Sequence, residues 1–444
     1  MKHLNTALNL RQTMQSERAK PTQVKNNAGG YVFAASDMEI VKRFLILGTE
    51  GGTYYASEST LTKELASACI STIQSDGEAV VSTIVEISVA GRAAKNDYAL
   101  FLLAAAAAVG NLQTRRAALN ALPSVARTAT HLFQFLEYTK QFRGWGRGLK
   151  TAVAGWYNAK EVNALAYQMV KYRNRNGWTH RDVLRKAHPN AVSEQHAALY
   201  DWACHGLLAE TAVPSIVKEF ALAIKASPSE AVILIQANKN LPWEVLSTEA
   251  LASKEVWKAL LPSLPMTALM RNLGRMTANG AITPFSAEEE LVVQRLSNVD
   301  AIKRARLHPV SLFVAKQTYE KGCGDKGSLT WVPSGKIVAA LENAFYKSFS
   351  TIEPTGKRFM VALDVSGSMS FPGGVAGIKN INAREASAIM ALTTLKSEER
   401  CVTMAFSRGF IPLNLTANDN FASALAKVSG LPFDSTDCAQ PMLY

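Results

Sequence analysis

Lys357–Met369 reads KRFMVALDVSGSM, and the chain changes character there. Arg358–Leu363 is a continuous apolar run behind one arginine, the pattern of a strand buried on both faces of a parallel sheet. A helix candidate follows at Arg384–Lys396, a second apolar run at Cys401–Phe406, and another helix at Phe421–Val428. Strands alternating with helices predict a doubly wound α/β domain. Asp364-Val365-Ser366-Gly367-Ser368 follows the first strand directly. This D-x-S-x-S loop stands at the carboxyl end of a strand, where open α/β sheets bind ligands. One carboxylate and two hydroxyls suit a hard divalent cation, Mg²⁺ above all. A second loop, Asp434-Ser435-Thr436-Asp437, adds Thr436 as a ligand, with Asp437 nearby. The plain alternative is a turn held by local hydrogen bonds.

Upstream, Ser348–Gly356 contains Pro354 and Gly356 and reads as a linker. Before it, strand-like alternation is almost absent. Apolar residues recur at helical spacing in short stretches separated by polar or Gly/Pro breaks. Examples are Leu61–Ile73, Glu78–Ala90, Tyr98–Val109, Val125–Tyr138, Val162–Tyr172, Glu194–Leu208, Ile216–Ala226, Met266–Met276 and Ile337–Tyr346. Consecutive helices of this length stack as HEAT-like repeats. The expected organisation is therefore mainly α: a helical-repeat domain over 1–347, a linker over 348–356, and an α/β domain over 357–444.

The 444 residues are 48% apolar, with a net charge of +12. Such a chain can bury a large core, and its positive balance suggests a polyanionic partner. Many basic proteins bind no nucleic acid, so the charge has to be located. It concentrates between Lys140 and Lys186, where Glu161 and Asp182 are the only acids. Arg143, Arg147, Lys171, Arg173, Arg175, Arg181 and Arg185 lie there, with His188 just beyond. Trp145, Trp156, Tyr157, Tyr167, Tyr172 and Trp178 are interleaved with them. Cations hold phosphates, and exposed rings stack unpaired bases. Thr179 with Asp182 predicts a helix start, and Pro189 a stop after His188. Within that helix Val183, Leu184 and Ala187 form the inward stripe. Arg181, Arg185 and His188 fall at i, i+4 and i+7 on the outward face. Lys171 and Arg175 are expected at the end of the preceding helix, before an Asn176-Gly177 break. A solvated helical face is the bland reading. Trp145 and Trp178 also suit a core, and the glycines at 144, 146 and 148 suit a tight turn.

Other functions are excluded by what the sequence lacks. Five scattered cysteines without a CxxC pair argue against a disulfide framework or a structural zinc site. Met1–Asn27 is polar and is no secretory signal. The longest apolar stretch, Tyr98–Val109, is too short to span a bilayer, and its Ala104–Ala108 run reads as close helix packing. No membrane association is expected, and a cytoplasmic setting is. The chain is read as no enzyme. No nucleophile triad, paired-carboxylate two-metal cluster or Walker A sequence can be assembled. Gly48–Gly52 lacks the lysine of a P-loop. His180 and His188 make no convincing metal pair, and His131 reads as a satisfied core histidine.

Six segments together resemble the Ro autoantigen family, the TROVE-module ribonucleoproteins. They are GGYVFAASDMEIVKRFLILGTEGGTYY (Gly29–Tyr55), GWGRGLK (Gly144–Lys150), KYRNRNGWTHRDVLRKAHP (Lys171–Pro189), MTALMRNLGRMT (Met266–Thr277), LDVSGSM (Leu363–Met369) and STDCAQPM (Ser435–Met442). The resemblance implies a ring of HEAT-like repeats closed by a von Willebrand factor A domain. It implies binding of small stem-loop Y RNAs on the outer surface and of single-stranded ends of misfolded RNAs in the central hole. It carries the Y RNA patch to Lys171, Arg175 and His188, beside Arg173, Arg181, Arg185, Arg143 and Arg147 from the basic segment. The metal motif falls on Asp364, Ser366, Ser368 and Thr436. The expected role is non-coding RNA quality control or stability, as a monomer, with an exoribonuclease as a candidate partner. The von Willebrand domain is expected to be incomplete, because a third metal loop on a later strand would lie beyond Tyr444. The rival expectation is a protein-interaction scaffold that works through the metal site.

Overall fold

The computed structural model describes residues 17–18, 20–25, 29–48, 58–93, 95–206, 212–324, 328–370, 375, 382–431 and 435–443. Thr49–Gly52 of the glycine-rich stretch and Asp434 of the second metal loop lie outside them. The chain divides into two compact units, residues 35–251 and residues 1–34 with 252–444.

The unit 35–251 is helical throughout its framework. Its helices are α1 (Asp37–Leu47), α2 (Glu58–Ala90), α3 (Asp97–Val109), α4 (Leu112–Val125), α5 (Ala129–Phe142) and α6 (Arg147–Asn158). They continue with α7 (Val162–Lys171), α8 (His180–Ala187), α9 (Glu194–His205), α10 (Ser215–Ala223) and α11 (Pro228–Ala237). Helix α1 packs on α2, α2 on α3 and α3 on α4, and each of α1 to α4 also packs on the helix after next. That is the layering of helical repeats. Starts follow the capping chemistry: Ser36 and Glu39 form a capping box on α1, and Ser227 and Glu230 form one on α11.

The expected Ala104–Ala108 packing is found, since Ala104 to Ala107 are fully buried in α3 with Leu100, Leu102 and Leu103. Each buried leucine contributes about 1.5–3 kcal/mol. Two boundaries differ from the sequence reading. Leu61–Ile73 and Glu78–Ala90 belong to one helix kinked at Asp76 (φ −142°, ψ 60°). Val125 does not open a helix: it closes α4, and Thr128 caps α5 by accepting from the His131 amide. Pro123 lies within α4 itself, only two residues before its end.

The other unit joins more helices to a small sheet. These are α12 (Lys254–Leu260), α13 (Met266–Ala278), α14 (Ala287–Ser297), α15 (Val299–Arg304), α16 (Pro309–Glu320) and α17 (Gly335–Ser348). The hairpin β1 (Gln23–Lys25) and β2 (Tyr31–Phe33) was not expected. Gln23 Nε2 donates to Met442 Sδ at 3.6 Å, which ties it to the end of the chain. The α/β part, with strands β5–β7 counted in chain order after a hairpin of 174–179, holds β5 (Arg358–Asp364), α18 (Ala383–Ser397), β6 (Arg400–Phe406), β7 (Phe410–Pro412), α19 (Phe421–Ser429) and α20 (Gln440–Leu443). Strands β5 and β6 pair in parallel from Arg358↔Arg400 to Asp364↔Phe406, and β7 adds antiparallel to β6.

The expectation that Arg358–Leu363 is buried on both faces is corrected. Leu363, Val365 and Ala405 pack against Ala388, Leu392 and Ala424 of α18 and α19. Met360 and Val402, on the other face, stay 37% and 57% exposed. Helices give way to strands across 348–356, yet both sides of that stretch belong to one compact unit. Phe313 of α16 lies 4.2 Å from Phe421 of α19, ring centre to ring centre, and the Phe421 amide donates to Tyr346 Oη at 3.0 Å. These aromatic contacts weld the last repeat helices to the α/β part.

Candidate nucleic-acid interface and metal loop

Lys171 is the last residue of α7, but Arg175 is not helical, contrary to expectation. Asn174–Arg175 (β3) and Trp178–Thr179 (β4) pair as a hairpin, with Arg175 opposite Trp178. Its two loop residues, Asn176 and Gly177, have φ of 54° and 75°. Two positive values in a two-residue loop are those of a type I′ turn, which Asn-Gly favours. The turn is also anchored from outside: Asn176 Nδ2 donates to Gln134 Oε1 of α5.

Helix α8 then begins as its sequence predicts. Thr179 and Asp182 form a reciprocal capping box, and His188 closes the helix in the left-handed region at φ 48°. Val183, Leu184 and Ala187 are buried, and Arg181, Arg185 and His188 are exposed. The inward side carries one residue beyond the stripe. His180 is buried, and its Nδ1 lies 2.8 Å from the Tyr157 hydroxyl. Burial drives its pKa down to about 3, so it sits in the core as a neutral ring. His131, half-buried beside Asn96, is pulled down to about 4 by burial and then by Arg127.

The cations divide into two groups. Arg173, Arg175, Arg181 and Arg185 are exposed, and none is ion-paired among the described residues. Arg173 lies 4.7 Å over the Phe220 ring, and Arg175 donates to the Asn174 carbonyl. Arg147 is exposed in the first turn of α6. Arg143 is half-buried and donates to the Ala107 carbonyl at 2.6 Å, which makes it a brace between α5 and the end of α3. Lys171 is also held. Its Nζ donates to Tyr167 Oη at 3.1 Å and stands 3.7 Å from Glu244 Oε1, between the Tyr167 and Tyr172 rings. Burial lowers its pKa, but the Tyr167 hydroxyl and the Glu244 carboxylate outweigh that, and it ends above the ordinary lysine value. Sequence reasoning missed Glu244. It lies far along the chain in a short turn, Trp243–Val245, and no local pattern marks it. The tryptophans are mostly structural: Trp178 is buried with its indole N–H on Glu137, and Trp145 leans on it at 6.0 Å.

The candidate metal loop is built at the carboxyl ends of β5 and β6. The Ser366 amide donates to Asp364 Oδ1 at 2.8 Å, and Ser366 Oγ is 3.2 Å from Ser368 Oγ. The Asp437 amide donates to the Ser407 carbonyl just past β6, which brings the second loop to the same end of the sheet. Asp364 and Asp437 both act on Cys438, whose thiol is raised by burial first and by these carboxylates next. One carboxylate and two hydroxyls at this spacing suit adjacent positions on a small hard cation. Among the described residues, no group of three or more His, Cys, Asp or Glu side chains forms a further metal cluster. All five cysteines are free thiols. Among the described residues, no helix is long and apolar enough to cross a membrane.

Both regions have counterparts in known proteins. The chain matches the TROVE domain over residues 24–224 and 235–318, and the Ro60 vWA domain over residues 358–444. It is 37% identical to the RNA-binding protein RO60 of Deinococcus radiodurans, covering all of this chain and 84% of that one. The chain belongs to the Ro60 family. The RNA-binding protein RO60 of Caenorhabditis elegans is 34% identical over 97% of this chain and 78% of its own. The fold agrees: the crystal structure of the Deinococcus radiodurans RO (RSR) protein superposes with a TM-score of 0.79, at 36% identity. That match covers 92% of this chain and 83% of the other. The mainly helical framework with a von Willebrand A-type part is thus the Ro60 architecture. Within it, the basic segment falls in the first TROVE block and Glu244 in the second, while Asp364, Ser366, Ser368 and Thr436 fall in the Ro60 vWA block.

Proposed function

We propose that this chain binds small structured non-coding RNA of the Y type through the hairpin 174–179 and the outward face of α8. The observation that carries the reading is the set of unpaired, exposed guanidinium groups of Arg173, Arg175, Arg181 and Arg185 around one type I′ turn, with His188 at the helix end. Guanidinium groups bind phosphate oxygens in a fixed fork, and each phosphate neutralised releases counterions. Lys171 joins them when a phosphate draws it from Glu244. The relatives are named as RNA-binding proteins and not as enzymes, which supports a binding role. The biological reading is protection or quality control of non-coding RNA in the cytoplasm, with misfolded RNA ends as a second class of ligand and an exoribonuclease as a candidate partner.

The test is a salt titration of binding to a stem-loop RNA, comparing the native chain with R181A/R185A. Steep weakening with salt, and a slope reduced in the variant, supports the reading. Equal slopes would move the phosphate contacts elsewhere. A second reading rests on the paired hydroxyls of Ser366 and Ser368 beside Asp364. These residues, with Thr436, would hold Mg²⁺ or another divalent cation, which would supply an open coordination position for a partner's carboxylate. Loss of a Mg²⁺-dependent thermal shift in D364A tests it.

A further inference from the structure

Phe285 has φ of +64°, a region that bulky side chains avoid. It is also 87% exposed. It precedes Ser286, the N-cap of α14, at the position where an apolar residue normally packs back on the first turn of its helix. Here the residue it would meet is Glu290, which is charged and exposed, and the ring stays in water. The fold gains nothing from a phenylalanine at this place, where glycine or asparagine would be relaxed. Yet the conformation is firmly determined. The Phe285 amide donates to Glu289 Oε2 at 2.8 Å, and Ser286 Oγ donates to the Thr283 carbonyl at 2.7 Å. Glu289 is 2% exposed, and it accepts a hydrogen bond from Ser334 Oγ and pairs with Lys336 at 3.9 Å. One buried carboxylate therefore fixes both the backbone that presents the ring and the cation beside it. Lys336 Nζ lies 5.3 Å from the ring centre, with half its side chain in solvent.

We infer that Phe285 and Lys336 form a stacking site for an unpaired nucleotide of bound RNA, separate from the basic segment. The inference rests on the RNA reading above. The base lies on the open face of the ring, and the adjoining phosphate meets the ammonium, an arrangement that tolerates any base. Backbone strain held in place by surrounding structure, at a residue with no packing role, is the pattern of a binding position.

The experiment compares two RNAs, a blunt stem-loop and the same stem-loop with a single-stranded oligoadenosine tail, on the full chain. In F285G, tail-dependent affinity is expected to fall about 10-fold while the blunt RNA binds as before. The melting temperature of F285G is expected to stay level or rise, because the strain is relieved. K336A should lose part of the same tail-dependent gain. Unchanged tail binding in F285G overturns the inference and leaves the ring to a protein partner. Equal loss on both RNAs also overturns it, since the site would not be specific to unpaired nucleotides. A native chain that binds neither RNA instead sinks the RNA reading itself, a result readable without any variant.

Discussion

Arg181 and Arg185 stand in solvent with no hydrogen-bond or ion-pair partner among the described residues, whereas Ser366, 1% exposed, already bonds to Asp364 and Ser368. The two regions separate binding from support in opposite ways. In the basic segment the support is given to other residues: the Thr179–Asp182 capping box, the Asn176 anchor on α5, and His180 in the core. The guanidinium groups of Arg181 and Arg185 are left uncommitted, so a polyanion could meet them at little structural cost. In the D-x-S-x-S loop the proposed ligand groups also hold the loop through the Ser366–Asp364 and Ser366–Ser368 bonds, so they could not be changed without disturbing it. The basic face should therefore be separable from stability, and the metal loop should not.

The largest expected effect breaks or confirms that separation. In R181A/R185A the dissociation constant for a stem-loop RNA should rise about 100-fold, since each charge-assisted contact is worth about 1.5–3 kcal/mol and contacts are not fully additive. Thermal denaturation of the same variant should match the native chain within about 0.5 kcal/mol. A variant that loses stability along with binding would show that the outward arginines also hold the fold.

Acid provides the next test, because the support behind the basic face includes a histidine that must stay neutral. His180 has its folded pKa pushed from the ordinary 6.5 to about 3, so the unfolded chain takes up protons first. Its stabilising contribution is complete above pH 6.5 and declines as pH falls toward the folded value. Between pH 6.5 and pH 4 the chain should lose about 3 kcal/mol of stability from this group. H180Q, followed by urea denaturation across that range, should flatten the profile. An unaltered profile would place the acid sensitivity elsewhere.

The metal loop should respond in the other direction. Mg²⁺ is expected to stabilise the native chain by about 1–2 kcal/mol at saturating concentration. D364A should abolish that shift and lower the metal-free melting temperature as well, while RNA binding stays native. A D364A chain as stable as the native one without metal would mean that the Asp364 to Ser366 bond is not structural.

Much of this was legible in the sequence for local reasons. Thr179 and Asp182 carry their helix start in four residues, and the inward and outward sides of α8 follow from spacing alone. The D-x-S-x-S loop is equally local, lying directly after its strand. What escaped depends on distance along the chain. In the sequence, Asn176-Gly177 reads as a break between helices. Its hairpin needs Asn174 and Arg175 to leave the helix, which the Gln134 anchor on α5 favours. Arg143 looked like another free cation until its partner, the Ala107 carbonyl, came to it across the packing of α3 and α5. The exposed Met360 escaped for a related reason: an apolar run shows that a strand can be buried, not how many layers cover it.

Lys171 gives the smallest and most discriminating effect, because it alone belongs to both kinds of region. It is a cation of the basic segment, yet only 17% of its side chain is exposed, and a tyrosine hydroxyl and a carboxylate hold it. A phosphate that engages Lys171 must displace Glu244 or share the ammonium with it, and the two anions repel. E244Q should therefore bind stem-loop RNA about 3-fold more tightly, the scale of one screened, partly exposed charge pair. In a K171A background the same substitution should change nothing, since the coupling runs through the lysine. Weaker binding in E244Q would reverse the assignment: Glu244 would be orienting Lys171 for the phosphate, and the structure of the free chain would already be the binding arrangement.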